Sequence, residues 1–247
     1  VVARSSRQHD AVRRALTMAG VPVNVGLSGV PLASDPAAAP LLAAFEVVVA
    51  WAKGERSTLG SDEVVELLTS SVGRADPVAM RRLRRAVRRV APVDGDTAAT
   101  RSADELMGQW VLDPTWLVGD SPGDRDLDPL ALLARVLWAG RSSALDTANS
   151  VTAHTVLWAM WQATGLADVW ERAALAGGVA GAHADRHLDA VIALFDSAQD
   201  YTQRLGRADL EGFAAHLGAQ EVAPDSLADR GVRAHEVSVL TPQAAAG

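Results

Sequence analysis

The stretch "EVSVLTPQAAAG", Glu236 to Gly247, alternates polar and apolar residues as far as Leu240, as a half-buried strand does. It then breaks at Thr241-Pro242 toward a small-residue turn closed by Gly247. A strand needs neighbours, and nothing upstream for many residues offers a hairpin partner. Candidates lie at the far end of the chain. There "VVARSS" reads as a short strand, Gln8 to Met18 as a helix stopped at Gly20, and "VPVNVGL" as a second strand. From Ser34 to Glu236 the pattern is helical. The expected fold class is therefore mainly α, a helical body inserted into a small α/β portion formed by the two chain ends. The ending itself reads as a cut through a larger protein.

Bulk composition narrows the chemistry. The 247 residues are 49% apolar and 21% charged, which is ample core material for one large domain or two small ones. The chain contains no cysteine, which excludes disulfides, thiolate zinc sites, iron-sulfur clusters and a cysteine nucleophile, and it points to a reducing cytoplasm. The apolar run "LLAAFEVVVAWA" is interrupted by Glu46 and too short to span a bilayer, so no membrane partner is expected. A net charge of -7 argues against an overall basic coat, so any nucleic-acid surface must be local.

Four Asp-Pro pairs, at Asp35, Asp76, Asp113 and Asp128, read as helix starts, with Asp capping and Pro in the first turn. Pro40 leaves two options for the first helix, a kink or a start at Pro40 itself. Further helices are predicted over Ser61–Val72, Ala103–Val111, Asp128–Ala139, Thr147–Thr164, Ala182–Leu205 and Asp209–Gln220. Gly73, Gly140, Gly165 and Gly206 are the expected stops. "DTAATRS" and "GDSPGDRDLD" read as loops, and Trp138, Trp158, Trp161 and Trp170 as helical core.

The most specific local signal is "DPVAMRRLRRAVRRV". At 100° per residue, Arg81, Arg82, Arg84, Arg85, Arg88 and Arg89 occupy an arc of roughly 160°, with Met80, Leu83, Val87 and Val90 opposite. Six arginines repel one another unless anions lie close by. Three readings are open: a solvated face paired with acidic neighbours, phosphate-backbone contact, or a membrane-surface helix, the last disfavoured by an apolar side without aromatics. In "HADRHLD", His183 and His187 share one helix face, while Asp185 and Asp189 lie about 200° away, so the four cannot converge on one metal ion. There is no G-x-S-x-G elbow and no phosphate-binding loop, so no catalytic residue and no cofactor is assigned to the chain itself.

The two ends together resemble the second RecA-like (2A) domain of the UvrD/Rep family of superfamily 1A ATP-dependent DNA helicases. The residues carrying the likeness are Arg4 in the loop after the first strand, Gly20 to Pro22, Gly29 to Pro31, and the closing "VSVLTPQAAAG", which is similar to helicase motif V. Thr241 and Gly247 match that motif, whereas Gln243 stands where His is usual and Ala246 where Lys is usual. These departures are similar to the RecB-like subunits of actinobacterial helicase-nucleases of the AdnAB type. The resemblance implies three segments: 1–33 as partial 2A, 34–234 as the helical 2B-type insertion, and 235–247 as the returning 2A strand. It implies DNA contact by Arg4, Thr241 and Gln243. It also implies ATP and magnesium bound by the parent protein rather than by this chain, and as partners DNA, the remaining helicase domains and a second helicase-nuclease subunit. The alternative is a freestanding α-helical module that binds nucleic acid or protein.

Overall fold

A computed structural model describes residues 31–91, 101–113, 124–205 and 209–218, positions 12 and 15, and the backbone of 23–24 and 237–238. The chain divides into two compact units, one comprising 1–34 with 219–247 and the other Asp35–Gly218. In the first, β1 (Val23–Asn24) pairs in parallel with β2 (Val237–Ser238), Val23 opposite Val237 and Asn24 opposite Ser238. Val12 and Ala15 have helical backbone. A 3-10 turn at Leu32–Ser34 is closed by the Ser34 N–H on the Pro31 carbonyl. The remaining expectations for the two ends, including Arg4, Gly20 to Pro22, Gly29, Thr241, Gln243, Ala246 and Gly247, fall outside the described residues.

Among its described residues, the regular elements of the second unit are all helices. It is organised around α1 (Ala39–Ala52), whose sequence is apolar on nearly every side; Leu41, Leu42, Ala44, Phe45, Val47, Val48, Val49 and Trp51 are buried. Of the two options for this helix, the later start is the observed one. Asp35 accepts hydrogen bonds from the Ala37 and Ala38 amides across a preceding turn, and Pro40 sits in the first turn of α1, where its missing N–H costs nothing.

Local cap chemistry fixes the next three helices. Before α2 (Ser61–Thr69), the Glu63 carboxylate accepts the Gly60 N–H at 3.2 Å. The Asp76 carboxylate accepts the Val78 and Ala79 amides, both at 2.7 Å, to open α3 (Pro77–Val90). Ser102 and Glu105 form a reciprocal capping box for α4 (Ala103–Trp110). Met80, Leu83, Ala86 and Val87 of α3 are buried, whereas Val90, expected on the apolar side, lies in the last turn and is 45% exposed.

Several boundaries differ from the sequence reading. α2 stops at Thr69 and α4 at Trp110. Within "GDSPGDRDLD", Arg125–Leu127 form a 3-10 turn capped by Asp124, so Asp128 is the first residue of α5 (Asp128–Ala144) rather than its cap. Gly140 does not end α5. It is buried in the helix interior, where an added Cβ would lie 2.6 Å from Met160 Cγ and 2.9 Å from Val48 Cγ2, so its bareness lets α5 meet α6 and α1 closely. α6 (Ala153–Thr164) begins later than expected because Asp146 holds the Ala148 amide and the Asn149 side chain in a turn, and Thr152 is the cap. Gly165 does stop α6, with φ 62° in the left-handed region. A helix missed in the sequence, α7 (Leu166–Ala176), follows at once, and α8 (Gly178–Leu205) starts four residues before Ala182. α9 (Leu210–Gly218) closes the unit.

α6 packs mainly on α5, and α8 on α7; α1 meets α5, α6 and α9. Phe213 of α9 meets Phe45 edge-on at 5.8 Å, and the sole lysine, Lys53, pairs with Glu211 to tie the end of α1 to α9. The Trp51 and Trp138 rings meet at 4.7 Å with the Arg141 guanidinium 4.6 Å above Trp51. Of the four tryptophans expected in the core only Trp161 is fully buried. Trp138 and Trp170 are half-buried, and Trp158 lies off the Val156, Leu157, Met160, Trp161 stripe and is 48% exposed.

Gly108 in α4 offers a direct check on the packing. The Leu59 N–H donates to the Gly108 carbonyl at 2.9 Å, and a Cβ on Gly108 would run into the Leu59 carbonyl. A glycine-to-alanine change in a helix interior ordinarily gains about 1 kcal/mol. Here Gly108→Ala is expected to destabilise by about 1–3 kcal/mol through overpacking. Chemical denaturation checks this, and an unchanged or raised midpoint contradicts the close approach.

Candidate nucleic-acid interface

The six arginines of α3 do not behave alike. Arg84, at one flank of the arc, reaches α4 and grips Asp104 with two bonds, Nε at 2.7 Å and a terminal nitrogen at 3.0 Å. Arg89, toward the other flank, bonds Asp124 at 2.6 Å and lies 3.9 Å from Asp126, tying α3 to the 3-10 turn before α5. For these two the reading of acidic partners within the helical body is correct. Asp124 is held below the usual carboxylate range by the Arg89 bond first and by the Asp126 amide second.

Arg88, Arg81 and Arg85 lie between those flanks by helical period, and Arg82 lies at the edge of the arc. All four are exposed, and among the described residues none forms an ion pair. Arg85 Nε donates to the Arg81 carbonyl at 3.3 Å. The Asp76 carboxylate lies below its usual range chiefly because it accepts the Ala79 and Val78 amides, with the fields of Arg82 and Arg81 adding to this. It is thus spent on capping the helix. What remains is a row of guanidinium groups on a rigid helix, supported underneath by a packed apolar side. Such a row suits successive phosphates, because each guanidinium is permanently charged and can donate two parallel bonds to one phosphate.

Among the described residues two shallow depressions lie beside α5, the first also bordered by α3. A cleft of about 140 Å³ lies among Asp76, Val78, Ala79, Arg82, Arg125, Asp126 and Pro129. Its two arginines are matched by two aspartates, so it has no net preference for an anion. A wider groove of about 690 Å³ has Arg74, Arg135 and Asp128 on its walls. Arg74 is committed to structure: its guanidinium donates to the Thr164 carbonyl at the end of α6, and its backbone sits at φ 57°.

The histidine pair is divided. Arg186 has only donors, so its 2.6 Å contact makes His183 Nδ1 an acceptor. The His187 ring meets Trp170 with ring centres 5.0 Å apart and planes tilted by 50°. Burial holds its imidazole below the usual range, opposed by the field of Asp35 and assisted by His183 and Arg186. Among the described residues no group of three or more His, Asp or Glu side chains is placed to hold a metal ion, and no helix is long and apolar enough to cross a membrane. Of the other site expectations, Arg4, Thr241 and Gln243 lie outside the described residues. The Asp104 and Asp124 partners were not singled out in the sequence, where the start "SADE" gives only a capping signal.

No protein-family model matches the sequence, and no curated protein matches it either.

Two outcomes check this geometry. Arg84→Gln should lower stability by about 0.5–1 kcal/mol, since the pair is partly exposed and screened, and should lose that effect when Asp104 is already Asn. Additive single and double substitutions in thermal melts would refute the Arg84–Asp104 coupling. For His187 the unfolded chain takes up a proton first, so its neutral-state contribution is complete above about pH 6.5, the unfolded value, and is lost as pH falls below it toward the lower folded value. The wild type should therefore lose melting temperature faster than His187→Phe between pH 8 and 5; parallel profiles would show that burial does not disfavour the imidazolium.

Proposed function

We propose that the chain is a non-catalytic segment of a cytoplasmic UvrD/Rep-family ATP-dependent DNA helicase, part of motor domain 2A together with its helical 2B-type insertion. In this reading the helical unit contacts the DNA backbone and so regulates the motor. ATP and magnesium are bound by the rest of the parent protein, and the partners are DNA, the remaining helicase domains and the second subunit of a helicase-nuclease.

The observation that carries the reading is the row of Arg81, Arg85 and Arg88, exposed and without acidic partners among the described residues, between two arginines that do have them. A face meant only for internal pairing has no use for its unpaired centre. In a chain of net charge -7 such a local cationic row is matched by an external polyanion rather than by composition. The reading of a small α/β portion rests on the two-residue parallel pairing of β1 and β2 from opposite ends of the chain. Parallel strands need a crossover between them, and here the connecting segment contains the entire helical unit. Contact of this kind is to phosphate and sugar, and it positions a duplex without reading its sequence.

The test is the triple variant Arg81→Gln, Arg85→Gln, Arg88→Gln, since glutamine keeps helix propensity while removing charge. The 247-residue chain should bind duplex DNA weakly and without sequence preference, with affinity falling steeply as salt rises. Each lost phosphate contact lowers the salt slope by about 0.9, so the triple variant should lose about 2.7 units. Its melting temperature should hardly change. An unchanged slope combined with a lowered melting temperature would remove this helix from the DNA interface.

A further inference from the structure

A second surface, on other helices and of opposite charge, is formed by α6 and α8. Trp158 of α6 is 48% exposed and Ile192 of α8 is 52% exposed. Phe195 of α8, half-buried, meets the Trp158 ring at 5.7 Å and the His154 ring at 5.5 Å. Helical period puts Leu188, Ile192 and Phe195 on one line of α8. Beside that line Asp185, Asp189, Asp196 and Asp200 fall within an arc of roughly 60°. Asp196 and Asp200 form no ion pair among the described residues. An apolar strip is thus edged along one side by carboxylates.

We infer that this strip is a docking surface for a cationic amphipathic helix of a protein partner. The line of Leu188, Ile192 and Phe195, with Trp158 across from it, suits apolar anchors spaced i, i+3, i+4 and i+7 on an incoming helix. An exposed, edge-packed tryptophan is the side chain most able to anchor such a contact. The row of aspartates selects the charge of the partner's flank, drawing lysine or arginine toward the strip and fixing which way the helix lies. The same carboxylates repel phosphate, so Trp158 is not a stacking platform for single-stranded bases, a role that requires a positive groove. The inference is independent of the DNA assignment to α3.

The intact chain can be titrated with a synthetic peptide of about five helical turns, leucines at i, i+3, i+4 and i+7 and lysines elsewhere. One control carries glutamate for every lysine, a second has the same lysines with the leucines scrambled, and a third probe is a thymidine oligonucleotide. The cationic amphipathic peptide should bind and change the tryptophan fluorescence, with both control peptides weaker by about tenfold or more. Trp158→Ser should weaken binding by at least about tenfold, as should Asp196→Lys with Asp200→Lys, and the charge-reversed pair should now accept the glutamate peptide. Equal affinity for all three peptides, or binding unaffected by both variants, overturns the inference. So does oligonucleotide binding that disappears with Trp158→Ser, which would make the strip a base-stacking site. Self-association abolished by the same substitution overturns it as well, by making the occupant a second copy of the chain.

Discussion

A helix that buries eight of its fourteen side chains must be enclosed from several sides. That requirement, set by α1, governs the helical unit. Its apolar positions are spread around the cylinder rather than gathered in one stripe, so a single neighbour cannot cover them, and α5, α6 and α9 each take a share. Gly140 belongs to this arrangement because it allows α5 to approach the layer formed by α1 and α6 without a side chain in between. The Phe45–Phe213 and Trp51–Trp138 edge contacts then fix two separate parts of α1. Peripheral helices are freer. α3 needs to bury only one side, which leaves Arg81, Arg85 and Arg88 at the centre of its arginine face exposed.

The arginine face combines two roles that composition alone would merge. Arg84 and Arg89 hold α3 against its neighbours at Asp104 and Asp124, and this fixes the rotation of the helix about its own axis. With that rotation fixed, the central arginines are presented outward in a constant geometry. Because every cation on the face is a guanidinium, its charge does not vary over any ordinary pH. The acidic strip of α8 is built on the same principle with opposite sign, a charged row beside packed aromatic rings. If both proposed partners bind, two oppositely charged surfaces on one helical unit keep a polyanion and a cationic peptide from competing for it.

What the sequence disclosed, and what it withheld, follows from the range of the interactions. The Asp76 cap and the amphipathic arc of α3 were legible because each depends on residues within a few turns. The Arg84–Asp104 bond spans twenty residues and a loop, and no local pattern announces it. Gly140 misled because a glycine at a helix end and a glycine at a helix crossing look alike in one dimension. Trp158 misled because tryptophan is usually core, and only the rotation of α6 decides whether one falls inside. The α7 helix is in principle readable, since Leu166, Val169, Trp170 and Ala173 have helical spacing and Gly177 terminates them, but Gly165 alone fits equally well as the end of the preceding helix. The roles of Arg4, Thr241 and Gln243 were carried by resemblance, and they stand on that footing.

The length of α8 has a mechanical side. Its 28 residues extend about 42 Å, longer than a small domain is wide. About a third of the way along it the His187 ring meets Trp170 of α7, and near its far end Tyr201 meets Phe213 of α9 at 5.6 Å. These two contacts lie about 21 Å apart on one continuous helix, so a tilt of about 5° about one displaces the other by about 2 Å. That is the size of the shifts of about 1–2 Å by which packed helices move between alternative settings. A force applied at the middle of α8 is thereby delivered to α7 and α9 together.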